Sequence, residues 1–292
     1  MTDMRIQIEN ERFSAQVDVQ GAELCSLQRK EDGAQFIWQG DARYWAGHAP
    51  TLFPITGKLK DLRFVHEGKT YELPPHGFAK DRAFTVALQK AHSVALVLEA
   101  DEETLACYPF PFRLICTFTL TDTGLALTRR VENTGLGGME FSLGEHLGFS
   151  LEPLGHPLEE CALVFPTPQT AWNWRLDKGL LAAKELYLDH AQTLLLSKDL
   201  FRTYGCLVLQ GLDAPWTALR AQGAEKGVRI SIGGFPTVVV WSPDNEGQFV
   251  CVEPWQGLPS DPGAGYELSQ RPCILHLDAG DTYEYTVNIQ PE

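Results

Sequence analysis

The sequence predicts an all-β protein, a large antiparallel two-sheet sandwich, and three observations point there. Apolar residues recur with a period of two in several segments, long stripes of period 3.6 are absent, and 26 Gly and 18 Pro punctuate the chain evenly. Many antiparallel strands in 292 residues must cover one another's apolar faces, which a sandwich does. Without a linker, a low-complexity segment or a repeat of fixed period, one domain over residues 1–292 is expected.

The elements follow in chain order. Asp101 to Tyr108 reads as one or two helical turns before Pro109. Phe112, Leu114, Cys116, Phe118 and Leu120 line one face of a strand; the turn Thr121-Asp122-Thr123-Gly124 leads into a hairpin partner, Leu125 to Val131, closed by Asn133-Thr134-Gly135. Gly179 to Glu185 reads as a second short helical piece. Val228, Ile230 and Ile232 alternate after the Gly223 to Gly227 turn. Thr237 to Trp241 and Gln248 to Val252 are β-rich runs joined at Ser242-Pro243-Asp244-Asn245-Glu246-Gly247, another hairpin. Tyr283, Tyr285, Val287 and Ile289 alternate near the C-terminus. Segments 153–180 and 256–270 read as loops.

Composition excludes some functions. With 24 basic and 38 acidic side chains the formal charge is −14, which repels phosphate backbones and anionic lipid, so neither a nucleic acid nor a membrane is expected as partner. No apolar run approaches the roughly 18 residues of a bilayer span, and the start Met1-Thr2-Asp3-Met4-Arg5 lacks a signal-peptide core; a soluble cytoplasmic protein is expected. Seven scattered Cys contain no C-x-x-C pair, and the His residues show no H-x-x-x-H or H-E-x-x-H spacing, so neither a disulfide framework nor a metal site is expected. The sequence carries no signal for oligomeric state.

Three segments place titratable side chains among Gly, Pro and aromatics: Pro74-Pro75-His76-Gly77-Phe78-Ala79-Lys80, Gly144-Glu145-His146-Leu147-Gly148-Phe149 and Cys251-Val252-Glu253-Pro254-Trp255. They are 70 and 107 residues apart, counted between His76, His146 and Glu253, so only tertiary folding can unite them. Together with Pro50-x-Leu52-Phe53-Pro54-Ile55-x-Gly57-Lys58-Leu59, Gly21-Ala22-Glu23-Leu24 and Trp38-Gln39-Gly40-Asp41, they occur in the order found in the aldose 1-epimerases, the galactose mutarotase-like family, which the chain resembles from about residue 5 to its C-terminus. The resemblance implies a β-supersandwich that interconverts the α and β anomers of an aldohexose by opening and reclosing the ring, without a cofactor. It implies Glu253 as the base, His146 as the acid, and His76 as a sugar-binding group that helps stabilise the ring oxygen.

Other positions are more ambiguous. Trp255 would lay its ring against the apolar face of a pyranose, or is simply core. Asp199, in Ser197-Lys198-Asp199-Leu200-Phe201, resembles an acidic sugar-hydroxyl ligand of related hexose-phosphate mutarotases, or caps a turn. Lys58 and Lys80 stand where relatives usually carry Arg; they would bind sugar hydroxyls or an anionic substituent, or are solvated charges. The family's Gly-Gly-His-Pro-Ala-Phe reads Gly144-Glu145-His146-Leu147-Gly148-Phe149 here; on a strand Glu145 and His146 face opposite ways. The competing readings are a hexose-phosphate mutarotase, a noncatalytic sugar-binding protein on the same fold, and a glycoside hydrolase, for which a second marked carboxylate is missing.

Overall fold

A computed structural model describes residues 4–243 and 248–292. Fifteen strands join edge to edge in one hydrogen-bonded array, with Thr51–Leu52 at one end and Thr85–Lys90 at the other. A separate three-stranded sheet is formed by Arg5–Glu9, Phe13–Asp18 and Glu23–Arg29. Every strand pairing is antiparallel, in keeping with the period-two patterning. Phe118 and Leu127 from the large array share one apolar cluster with Ala15 and Val17 from the small sheet, so the two layers bury each other's faces.

The predicted hairpin is present as Phe112–Thr121 paired with Gly124–Asn133, and the five alternating apolar residues from Phe112 to Leu120 are all buried. Gly124–Asn133 pairs on its other side with Thr282–Pro291, which carries Val287 and Ile289 inward. The helix Glu102–Cys107 is capped by Asp101, whose side chain accepts from Thr104 N–H while Thr104 returns a bond to the Asp101 N–H. Thr237–Trp241 and Phe249–Gln256 pair as expected, although residues 244–247 of their connection lie outside the described residues.

Two expectations are corrected. Gly179 to Glu185 is not helical: Lys178 and Gly179 both have positive φ and form a two-residue turn between Asp177 and Leu180, so Cys161–Asp177 and Leu180–Leu195 make one long hairpin. The segment 153–180, read as a loop, is therefore largely strand. The second α-helix is Lys198–Tyr204, with the Ser197 side chain accepting from Leu200 N–H at its start and Gly205 at its end.

Arg129 and Glu145 are both fully buried and paired at 2.9 Å; Tyr285 donates to the second carboxylate oxygen at 3.0 Å, and the guanidinium lies 4.8 Å from the Phe118 ring centre. Removing one partner strands the other charge in the interior. Glu145→Ala is expected to cost about 3–5 kcal/mol in denaturant unfolding, whereas the double change Arg129→Met with Glu145→Leu should recover most of that loss.

Candidate active site

The site is built on the strand Phe249–Gln256, which is buried along its whole length. Val250 and Val252 enter the main apolar cluster, while Phe249, Cys251 and Trp255, and Glu253 between the last two, lie on the opposite face. On one side the strand pairs with Thr237–Trp241, where Val239 stands opposite Glu253. On the other it pairs with two short strands, Leu143–Glu145 and Leu147–Ser150. The pairs Gly144 with Trp255 and Leu147 with Val252 keep one register across the break in pairing at Glu145 and His146, which places His146 opposite Glu253: Nε2 lies 3.4 Å from Oε1.

The glycines on either side of this break have steric reasons. A Cβ at Gly144 would meet the Trp255 ring at 2.7 Å, and one at Gly148 would meet the His48 carbonyl at 2.8 Å and the Trp45 ring at 2.9 Å. Glu145, between Gly144 and His146, turns the other way into its ion pair with Arg129, as strand alternation predicts.

His76 arrives from a different part of the chain. Its backbone is left-handed (φ 66°), followed by Gly77 (φ 70°), where any Cβ would strike the Phe53 carbonyl at 2.3 Å. The His76 N–H donates to the Gly57 carbonyl at 2.8 Å, and the Gly57 N–H donates to His76 Nδ1 at 3.2 Å. With Nδ1 used as an acceptor, the neutral ring carries its proton on Nε2. His76 lies 5.8 Å from His146 and 5.5 Å from Trp255, ring centre to ring centre.

These groups line a pocket of about 310 Å³, at the small end of ligand pockets of roughly 300–1,000 Å³. Its walls include Trp45, Trp241, Val239 and Pro259. Leu176 and Gly179 enter from the tip of the long hairpin, where Lys58 Nζ donates to the Lys178 carbonyl at 3.0 Å and Leu181 N–H donates to the Ser260 carbonyl. The alternation of residues 237–241 could have indicated Trp241, but Trp45 lies in a loop without regular period, and the hairpin tip escapes a helical reading.

Of the sequence-derived candidates, Glu253, His146, His76, Trp255 and Lys58 all line this pocket. Lys80 does not; it pairs with Asp81 and acts on His76 through its charge. Asp199 is not brought to the pocket either: it is exposed in the first turn of Lys198–Tyr204 and pairs with Arg202 at 3.2 Å.

Burial dominates the electrostatics. It raises the Glu253 carboxyl well above the usual range, the nearby Trp255 indole opposing this weakly; neither Glu253 Oε2 nor Trp255 Nε1 meets a hydrogen-bond partner in acceptable geometry among the described residues. Burial lowers His146 to about 3, with His76 adding to the effect, and lowers His76 to about 4, with Lys80 adding. Burial thus works against the charged form of the carboxyl and of both imidazoles.

Comparison with known proteins agrees with this architecture. The sequence profile described as aldose 1-epimerase matches residues 4–273, and the chain belongs to that family. Two LacX proteins of Lactococcus lactis, chromosomal and plasmid-borne, are 28% identical over 298 residues, covering 98% of this chain and 99% of theirs. The structure of a galactose mutarotase related enzyme from Lactobacillus acidophilus superposes with a TM-score of 0.93 at 28% identity, over 99% of this chain and 97% of the other. A galactose mutarotase-like protein from Lactobacillus casei gives 0.91 at 28% identity, over 99% and 100%. No helix among the described residues is long and apolar enough to cross a membrane.

The lowered imidazole affinity makes a sign-specific prediction. Between pH 6.5 and about 4 the unfolded chain binds a proton that folded His76 refuses, so this group's stabilising contribution is complete above pH 6.5 and falls as the pH drops through that window. His76→Asn, compatible with positive φ, is expected to flatten the slope of melting temperature against pH between 6.5 and 4 relative to wild type; an unchanged slope contradicts the assignment.

Proposed function

We propose that the protein is an aldose 1-epimerase acting on an aldohexose, with Glu253 and His146 as its acid–base pair. Ring opening needs the C1 hydroxyl proton removed while the ring oxygen is protonated, and reclosure on the other face reverses both transfers. In the working state Glu253 is a carboxylate and His146 an imidazolium. After opening, Glu253 holds the C1 proton and His146 has given its own to the ring oxygen.

The observation that carries this reading is the 3.4 Å approach of His146 to Glu253 beside a pocket of sugar size. The two groups exchange one proton without changing the pair's total, so the neutral pair and the charged working pair are tautomers. Burial favours the neutral form, which is also the form paired with the open-chain aldose. A polyol supplies donors and acceptors to Glu253 Oε2 and Trp255 Nε1, both unpartnered, and its ring hydroxyls can stabilise the charged form on binding. His76, with its proton on Nε2, donates to an oxygen near the reacting centre. Trp255 offers an aromatic face beside it.

Glu253→Gln is expected to lower the enzymatic rate of α-D-glucose or α-D-galactose mutarotation, followed by polarimetry, by about 10²–10⁴ while the fold persists. Sugar binding by wild type without faster mutarotation would instead support a noncatalytic sugar-binding protein.

Lys58 at the pocket supports a second reading, a hexose phosphate as substrate. Under it, Lys58→Ala raises KM for a hexose 6-phosphate several-fold and leaves KM for the free hexose nearly unchanged. Equal effects on both sugars would assign Lys58 to hydroxyl binding or to holding the hairpin tip.

A further inference from the structure

Cys251 is not needed for ring opening, yet it lies on the same face as Glu253, two residues before it. One ring nitrogen of His146, Cys251 Sγ and one Glu253 oxygen all lie within 4.8 Å of one another. We propose that a thiophilic divalent cation, Zn²⁺ in the first instance, binds at the wall of this pocket between His146 and Glu253, which line it, and Cys251, which is buried behind it, and that the bound ion blocks the acid–base pair. The blocking effect rests on the mutarotase reading above; the binding does not.

The distances suit such an ion. Zn–S is about 2.3 Å and Zn–N or Zn–O about 2.0–2.2 Å, so ligand atoms around a tetrahedral zinc stand roughly 3.3–3.6 Å apart. His146 Nε2 and Glu253 Oε1 are already 3.4 Å apart, and Cys251 Sγ lies within 4.8 Å of one ligand atom of each residue. A nitrogen, a sulfur and an oxygen donor, with a fourth position facing the pocket, match a site of three protein ligands and one exchangeable one. The thiol and imidazole select zinc-like cations over Mg²⁺ or Ca²⁺.

Bound by one thiolate, one carboxylate and a neutral imidazole, a dication leaves the buried ligand set neutral. Cys25 with Glu23 and His48 forms a second cluster of similar size, but Glu23 Oε1 there already accepts from the His48 and Ala49 N–H groups at 2.7 and 2.9 Å. In the pocket cluster the buried Glu253 Oε2 meets no hydrogen-bond partner among the described residues.

The test titrates the chelator-treated full chain with Zn²⁺ by calorimetry, and with Co²⁺ by absorption, reading thiolate-to-metal charge transfer. One equivalent bound, a charge-transfer band on wild type, and loss of that band in Cys251→Ser are expected. Zn²⁺ affinity should fall by more than about tenfold both in Cys251→Ser and in His146→Gln, a more accessible position should the buried serine misfold. His48→Ala should leave both readouts unchanged. Absence of the band on wild type, its survival in Cys251→Ser, or its loss in His48→Ala overturns the proposal. With glucose as substrate, one equivalent of Zn²⁺ but not Mg²⁺ should suppress wild-type mutarotation; full activity with zinc bound refutes the blocking. If zinc binds as described but the metal-free protein accelerates no mutarotation, the site stands and the enzyme reading falls.

Discussion

A single carboxyl group, Glu253, is held at 1% exposure without Lys or Arg in ion-pair contact among the described residues, and the pocket is organised around that constraint. The protein contains its own contrast in Glu145, equally buried but matched by Arg129 and the Tyr285 hydroxyl. Glu145 is satisfied and faces the core; Glu253 is left with an unpartnered oxygen and faces the pocket. Burying an unmatched carboxylate is costly, so its charged form is disfavoured until something in the pocket supplies hydrogen bonds or positive charge.

Holding such a group requires a rigid frame, which the strand network provides. Phe249–Gln256 is paired on both sides, and its alternation sends Val250 and Val252 into the main cluster, so Glu253 cannot turn toward solvent without breaking two ladders. The break between Leu143–Glu145 and Leu147–Ser150 lets His146 leave the ladder, while Gly144 and Gly148 make room for Trp255 and Trp45 around it. His76 is fixed independently by its reciprocal hydrogen bonds with Gly57. Three remote stretches thus converge through backbone geometry rather than through flexible side chains.

That distinction explains what could be read from the sequence. Strands with uninterrupted alternation, such as Phe112–Thr121, were legible because one face packs against a continuous core. The Cys161–Asp177 and Leu180–Leu195 hairpin was not: its register shifts at four places, so inward and outward positions lose their period, and Leu180-Leu181-Ala182-Ala183-Lys184-Glu185 favours helix locally. Lys178 and Gly179 at positive φ decide for the turn. At the site, the His76 and His146 motifs are legible through flanking glycines that close backbone approach demands, and the Glu253 motif, which has no adjacent glycine, through its resemblance to the family's series. Trp45 enters only with tertiary structure, as does the approach of Cys251 to His146. Asp199, marked by a short local match, belongs to a helical turn whose cap, Ser197, was equally present in the sequence.

The same energetic imbalance bears on what the pocket can admit. Its walls are mostly aromatic and aliphatic, and its charged side chains are Glu253 and Lys58. An apolar ligand would leave the carboxyl oxygen and the Trp255 N–H unpartnered, while an anion near Glu253 would deepen the repulsion that burial already imposes. A neutral polyol offers hydroxyls that donate and accept, satisfying both groups while its ring carbons face the indoles. An anionic substituent would find its one opposite charge among the lining side chains in Lys58. Within an otherwise oily cavity the two proton transfers can take place only where Glu253 and His146 approach each other, so that is where an anomeric centre would have to sit.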